Sequence, residues 1–210
     1  MQACLIDSLI FDLDGTLWDS TNTVLMAWKK ALCEFKFIKK DISRDDIEGI
    51  FGMQYSLIGE KLFPYLHKSE QEQVMHRCFE CENETISSHG GILYKDIIEV
   101  LNVLSTRYPL YIVSNCQPGY IEAFLNFYRL HDLFKDHECA GNTGLPKHKN
   151  IEIVIDRNKI NNPVYIGDTA SYYDASKKNG IPFIHAAYGF GKADAADFTI
   201  TTPRDLLSMF

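Results

Sequence analysis

Basic residues are sparse in this 210-residue sequence: none of its Lys/Arg runs is longer than two residues, and the formal net charge at pH 7 is −7. Nucleic acids and anionic membrane surfaces are bound through basic protein faces. We therefore expect neither a nucleic acid nor a membrane as the main partner. An acidic protein can still hold a local basic site, so a small anionic substrate is not excluded.

Long apolar segments are missing as well. No uncharged apolar stretch approaches the ~18 residues that a membrane-spanning helix needs. The first eleven residues lack the basic start of a secretory signal peptide and carry Asp7 within their only apolar run. These features favour a cytoplasmic protein.

The six cysteines form no strong metal-binding pattern. Only Cys78 and Cys81 are close in sequence, without a second pair or histidines at ligand spacing. A lone pair of this kind is weak evidence for a metal site. Reduced thiols are the expected state in the cytoplasm.

The order of the predicted elements indicates an α/β fold. Short apolar strands are predicted at residues 8–13, 110–115, 136–140, 163–168, 182–186 and 198–201, and helices alternate with them after residue 90. Apolar strands in such an order form a parallel sheet that is covered on both faces. We predict a Rossmann-like core formed by residues 1–17 and 90–210.

One stretch interrupts this alternation. Residues 21–37, 44–51, 55–63 and 69–86 have helical periodicity, and Asp19 and Ser20 are predicted to cap the first of these helices. A simple crossover between parallel strands takes ~30–40 residues, so the connection contains roughly 60–70 residues too many. We predict that residues 18–89 form a small all-helical cap over the carboxyl ends of the strands, where open α/β sheets bind ligands.

Polar side chains follow several of the predicted strands. They are Asp12 and Asp14, Ser114 and Asn115, Lys147, and Asp168. Because parallel strands point the same way, these groups converge on one crevice. Carboxylate oxygens are the ligands that Mg²⁺ prefers, and an ammonium group offsets phosphate charge. The set therefore suits magnesium-assisted phosphoryl transfer.

Two carboxylates in this crevice suggest two different tasks. One can attack phosphorus and form an aspartyl-phosphate, which water then hydrolyses. The other must protonate the leaving group, yet only about one in a thousand aspartic acids with an ordinary pKa is protonated at pH 7. Asp14 can act as an acid only if its surroundings raise its pKa.

These segments resemble the four motifs of the haloacid dehalogenase superfamily, in the right order and over nearly the whole chain. The matching residues are Asp12-x-Asp14-Gly15-Thr16, the strand end at Ser114, Lys147, and Gly167-Asp168-Thr169. The helical insert is similar to the cap of the phosphoglycolate-phosphatase-like branch. The dehalogenase branch lacks the second aspartate, because a halide leaving group needs no proton. Asp14 therefore indicates a phosphate ester as substrate.

The resemblance also implies a role for each residue of the site. Asp12 would be the nucleophile and Asp14 the general acid/base. Mg²⁺ would be held by the Asp12 side chain, the Asp14 main-chain carbonyl and Asp168. Ser114 and Asn115 would bind phosphoryl oxygens. Lys147 would hold both the phosphate and the nucleophile, although Lys149, two residues further on, is a rival for this role.

One position departs from the family pattern. The fourth motif often reads G-D-x-x-x-D, and here Tyr172 stands at its last position, with Asp174 two residues later. Two residues correspond to about 200° of rotation in a helix, so Asp174 is no direct replacement. We expect a working metal site with a lower affinity for Mg²⁺.

The resulting prediction is a Mg²⁺-dependent phosphatase that hydrolyses a small phosphorylated metabolite of the phosphoglycolate or sugar-phosphate type. A phosphomutase or phosphotransferase with the same core is an alternative, as is a catalytically weak phosphate-binding regulatory protein. In the insert, Gly52, Met53 and Tyr55 either contact the substrate or form a corner between helices. The sequence makes no prediction about the oligomeric state.

Overall fold

The computed structural model describes residues 6–210, so Cys4 and the first five residues of the predicted core lie outside the described range. Its strands are β1 (Ser8–Phe11), β2 (Trp18–Asp19), β3 (Ile92–Leu93), β4 (Leu110–Ser114), β5 (Phe134–Cys139), β6 (Pro163–Gly167), β7 (Phe183–Ala186) and β8 (Phe198–Ile200). Six of these strands form one parallel sheet, in the order β5-β4-β1-β6-β7-β8. The predicted α/β fold with a Rossmann-like sheet is confirmed.

The helices surround this sheet and fill the insert. They are α1 (Thr21–Leu32), α2 (Arg44–Glu48), α3 (Ile58–Leu62), α4 (Lys68–His89), α5 (Ile97–Ser105), α6 (Tyr120–Tyr128), α7 (Ala140–Thr143), α8 (Lys147–Asn158), α9 (Ala170–Lys178) and α10 (Leu206–Met209). Short 3₁₀ turns lie at Tyr55–Leu57, His131–Leu133 and Pro203–Asp205. Within residues 6–210, no helix has the length and apolarity needed to cross a membrane.

Strand β1 lies at the centre of the sheet, where Phe11 is opposite Ile112 of β4 and Ile166 of β6. The chain builds β4 and β5 on one side of β1 and then β6, β7 and β8 on the other. The strand order therefore reverses at β1, and this reversal opens a crevice at the carboxyl end of the strand. Asp12 is the first residue after β1.

The side chains of β1 are buried on both faces of the sheet. Leu9 and Phe11 belong to one apolar cluster, and Ile10 belongs to the other. A strand that is covered on both sides has no polar face, which explains its continuous run of apolar residues. Because β1 is packed between these two apolar clusters, the polar residues that follow it are held in a fixed position.

A two-stranded antiparallel pair connects the insert to the rest of the chain, and hydrophobic periodicity does not detect it. Strands β2 and β3 pair antiparallel, with Trp18 opposite Leu93 and Asp19 opposite Ile92. Two residues are too few to show an alternating pattern. Every helix between them, α1 to α4, belongs to the insert. Helix α1 ends at Leu32, earlier than its predicted end at residue 37. The division of the chain into a core and a cap domain stays a prediction.

Candidate active site

Asp12 and Lys147 form a buried ion pair at the reversal point of the sheet. The backbone N–H of Asp12 donates to the carbonyl of Ile166 at 2.8 Å, which places this residue beside β6. Lys147, the first residue of α8, donates from Nζ to Asp12 Oδ1 at 2.6 Å and to the Val113 carbonyl at 2.8 Å. Burial raises the pKa of Asp12, while the charge of Lys147 opposes this shift.

The two candidate lysines have different environments. Lys147 is 5% exposed and faces Asp12, whereas Lys149 pairs with Glu152 at 2.6 Å, and its side chain is 50% exposed. A surface pair of this kind adds little to stability. Of the two rivals, the structure brings only Lys147 to the nucleophile candidate.

Tyr172 lies next to this ion pair. Its side chain is 2% exposed, and the Nζ atom of Lys147 lies 4.1 Å from the centre of its ring. A cation over an aromatic face is attracted by the ring quadrupole, most strongly when water is excluded. The position that carries an acid in the family pattern therefore holds an aromatic support for Lys147. Asp174 is exposed on α9 and does not replace that acid.

Asp14 is held by two hydroxyl groups. Ser20 Oγ donates to Asp14 Oδ1 at 2.6 Å, and Tyr120 Oη donates to the same oxygen at 2.7 Å. Burial raises the pKa of Asp14 to about 7, although both hydrogen bonds favour the charged form. A role for Asp14 as a general acid requires a strongly raised pKa, and burial provides it. Ser20 stands at the N-cap position of α1, as predicted, but its hydroxyl binds Asp14 and makes no capping hydrogen bond; Asp19 Oδ1 instead accepts from the Thr21 N–H at 2.9 Å.

Asp168 follows β6 and is 1% exposed. Its Oδ2 atom accepts hydrogen bonds from the backbone N–H groups of Phe190 at 2.9 Å and Gly191 at 3.2 Å. Burial, followed by the charge of Asp12, raises the pKa of Asp168 to about 7. Gly15 has a φ of +78°, and a Cβ atom there would lie 2.2 Å from Asp168 Oδ2. Only glycine lets this carboxylate come so close to the backbone after Asp14.

The predicted ligand set fits a magnesium ion. Asp12 Oδ2 is buried without a hydrogen-bond partner, and the negative charge of Asp12 contributes, after burial, to the raised pKa of Asp168. Within residues 6–210, no three His, Cys, Asp or Glu side chains form an all-protein cage for a metal. Mg²⁺ needs no such cage, because one or two carboxylates together with waters and a substrate phosphate complete its shell.

The predicted phosphate-binding residues Ser114 and Asn115 both line the cavity in front of Asp12. Ser114 is the last residue of β4 and is 4% exposed. Asn115 contacts the insert: its Nδ2 donates to the Gly52 carbonyl at 2.8 Å, and its own carbonyl accepts from the Tyr55 N–H at 3.3 Å. The side-chain nitrogen of Asn115 is therefore engaged by the insert in this closed arrangement.

The cavity has a volume of about 40 Å³ and lies between the sheet edge and the insert. Gly52, Met53 and Tyr55 all line it, so these insert residues face the site. This volume holds a few water molecules at most. A phosphate ester is larger than the space that this arrangement leaves between the sheet edge and the insert.

Sequence reasoning missed Glu82, a carboxyl group of the insert that lines the same cavity and is 5% exposed. The indole N–H of Trp28 donates to its Oε2, and Gln117 Nε2 donates to its Oε1 at 3.0 Å. Burial raises the pKa of Glu82 to about 8. The feature of the sequence that could have revealed Glu82 is its position in α4: it lies one turn after Cys78, on the apolar face of the helix.

Residues 9–186 match the family of haloacid dehalogenase-like hydrolases. This match covers most of the chain, so the protein belongs to this family and is a hydrolase. The family predicted from the four motifs is confirmed.

Individual relatives agree with this assignment. A phosphoglycolate phosphatase from Aquifex aeolicus (strain VF5) is 26% identical over 211 residues, with 96% of this chain and 95% of the relative aligned. A haloacid dehalogenase-like family hydrolase from Streptococcus pneumoniae has a TM-score of 0.83 at 22% identity, with 98% of each chain covered. A predicted phosphoglycolate phosphatase from Haemophilus somnus 129PT has a TM-score of 0.84 at 17% identity, with 97% of each chain covered. At these identities, the two solved structures show a common fold.

Proposed function

We propose that this hydrolase is a Mg²⁺-dependent phosphatase that cleaves a small phosphomonoester through an aspartyl-phosphate on Asp12. The observation that carries this proposal is the unequal use of the two oxygens of Asp12. Oδ1 is held by Lys147 at 2.6 Å, whereas Oδ2 is buried and has no hydrogen-bond partner. A carboxylate that is oriented through one oxygen and free at the other is suited to nucleophilic attack.

In the first step, Asp12 Oδ2 forms a bond to phosphorus, and the bond from phosphorus to the ester oxygen breaks. Lys147 keeps the nucleophile in position and offsets negative charge as the phosphate approaches. Asp12, Asp168 and the Asp14 carbonyl would hold Mg²⁺, which supplies positive charge for the phosphoryl oxygens when it is bound. Ser114 would donate a hydrogen bond to one of these oxygens.

Asp14 is suited to moving the proton that both steps require. Burial raises the pKa of Asp14 to about 7, so the protonated form is available at neutral pH. The protonated form gives its proton to the leaving alcohol. The resulting carboxylate then accepts a proton from the water that attacks the aspartyl-phosphate. Ser20 and Tyr120 keep the side chain in place during both transfers.

The name of the Aquifex aeolicus relative supports phosphate-ester hydrolysis, and the closed insert supports a small substrate. Closure would exclude bulk water while phosphorus is transferred to Asp12. A cytoplasmic location stays a prediction.

The test is release of inorganic phosphate from an aryl phosphate, with Mg²⁺ present or removed by a chelator. We expect turnover only with Mg²⁺. Acid quenching during turnover should trap one phosphoryl group on the peptide that contains Asp12, detected by mass spectrometry. Isomer interconversion without net phosphate release would identify a mutase instead, and binding of a phosphate analogue without turnover would indicate a regulatory protein.

A further inference from the structure

The insert side of the cavity is apolar apart from one carboxyl group. Its walls include Val24 and Trp28 of α1, Met53 of the loop after α2, and Phe79 of α4. Glu82 is the only charged residue that the insert contributes to this lining. The leaving alcohol must lie on this side, because Asp12 attacks phosphorus from the sheet side.

Among the described residues, no cationic side chain on the insert side of the cavity would balance a negative charge on the alcohol portion of the substrate. Among the described residues that line the cavity, there is no lysine, arginine or histidine. Two cationic side chains of the insert are engaged elsewhere: Arg77 pairs with Glu34 at 2.9 Å, and Lys61 donates to the Gly49 carbonyl at 2.5 Å. A buried anion without a counter-ion or hydrogen bond is strongly disfavoured.

Glu82 is held rigidly and still has acceptor capacity. Each of its oxygens accepts one hydrogen bond, from Gln117 and from Trp28 respectively. In its ionised form a carboxyl group has about four acceptor sites, so two remain for a ligand. Because Trp28 and Glu82 come from different helices of the insert and Gln117 from the loop after β4, the carboxyl group is positioned by the closed arrangement as a whole.

We propose that the substrate is a phosphomonoester whose alcohol portion carries no negative charge and donates a hydrogen bond to Glu82. Glu82 is thus a specificity-determining residue, and phosphorylated carboxylic acids such as phosphoglycolate are poor substrates. This inference rests on the proposed phosphatase function and narrows its substrate class. It separates this chain from its Aquifex aeolicus relative, which is named for phosphoglycolate.

The first test compares two-carbon phosphates that differ only in their end group: 2-hydroxyethyl phosphate, 2-aminoethyl phosphate and phosphoglycolate. We expect kcat/KM for the hydroxyl or the ammonium ester to exceed that for phosphoglycolate by about tenfold or more. Equal or faster turnover of phosphoglycolate would overturn the inference.

The second test assigns the selectivity to Glu82. At pH 9, above the pKa of about 8 for Glu82, Glu82→Gln removes a negative charge, so the preference over phosphoglycolate should fall by about threefold or more. Glu84→Gln is the matched control, because Glu84 is an exposed acid on the same helix, and its change should leave the preference intact. An unchanged preference in Glu82→Gln would overturn the role of this residue.

A further variant covers the case in which Glu82→Gln does not fold. Glu82→Asp keeps the charge but withdraws the carboxyl group by one methylene. It should still reject phosphoglycolate, while KM for 2-hydroxyethyl phosphate rises. A Glu82→Asp enzyme that prefers phosphoglycolate would count against the proposal.

Phenyl phosphate separates this inference from the proposed function, because it carries none of the three end groups. If no ester is hydrolysed, phenyl phosphate included, the proposed function fails, and the substrate class fails with it. If phenyl phosphate is hydrolysed and phosphoglycolate is the best of the two-carbon esters, only the inference about Glu82 fails.

Discussion

The two walls of the cavity differ in their charge. On the sheet side, Asp12 and Asp14 line the cavity, Lys147 is bonded to Asp12 behind this lining, and Asp168 is a third buried carboxylate at the same edge. The wall formed by the insert is apolar except for Glu82. In the proposed reaction, the charged wall performs the phosphoryl transfer, and the apolar wall selects the alcohol that leaves.

The two walls also differ in how they are held. On the sheet side, the polar residues after β1, β4 and β6 are held by strands whose backbones are hydrogen-bonded to one another. The insert is connected through β2 and β3 and reaches the core by side-chain contacts such as the stacked rings of Phe51 and Phe190, whose centres lie 4.8 Å apart. Such contacts can open without disrupting the sheet, so we assign the movement that admits substrate to the insert.

The largest effect is expected at the charged wall, from Asp12→Asn. Without a nucleophilic oxygen, kcat for an aryl phosphate should fall by about 10⁴-fold or more. Asp174→Asn is the control, because this exposed aspartate is also close to the fourth motif, and it should retain full activity. Turnover by Asp12→Asn at the wild-type rate would contradict the mechanism.

The next effect compares the two lysines. Lys147→Met should lower kcat/KM by about 10²–10³-fold, since it leaves Asp12 buried without its ion-pair partner. Lys149→Met removes the same charge two residues away and should change kcat/KM by less than about twofold. Similar losses in the two variants, measured by steady-state kinetics, would show that net charge matters more than position.

Asp14→Asn should have an effect that depends on the leaving group. The loss of a proton donor should slow hydrolysis of an alkyl phosphate by about 10²-fold or more, but an activated aryl phosphate far less. The measurement is the ratio of kcat/KM for the two esters in the wild type and the variant. Equal losses for both esters would argue against the acid role.

The smallest effect is expected from Glu82, and it concerns stability. The folded-state pKa of about 8 lies above the ordinary range of a glutamic acid. Folded protein therefore keeps a proton that unfolded protein has released, and stability falls as the pH rises toward 8. Between about pH 5 and pH 8 the wild type should lose about 3 kcal/mol more stability than Glu82→Gln. Urea unfolding at several pH values measures this difference.

The control for this measurement is Glu84→Gln, which should follow the wild-type curve because Glu84 is exposed in the folded state. Parallel pH dependences for the wild type and Glu82→Gln would mean that Glu82 is not buried in solution as it is in the closed cavity.

Local patterns in the sequence predicted much of this protein. The apolar strands, the helical insert and the polar residues after the strands follow from periodicity and from the rule that parallel strands end at one edge. That rule predicts that Asp12, Ser114, Lys147 and Asp168 meet in one crevice. Their roles in the reaction stay predictions, which the variants above test.

Tertiary structure decided the features that depend on contacts between distant segments. The choice of Lys147 over Lys149, the hydroxyl groups on Asp14, the aromatic support from Tyr172 and the burial of Glu82 all join residues that are far apart in sequence. A residue's pKa and available partners depend on what excludes water around it, and periodicity within one segment does not contain that information. The sequence therefore determined which groups reach the crevice, and packing determined how each of them is tuned.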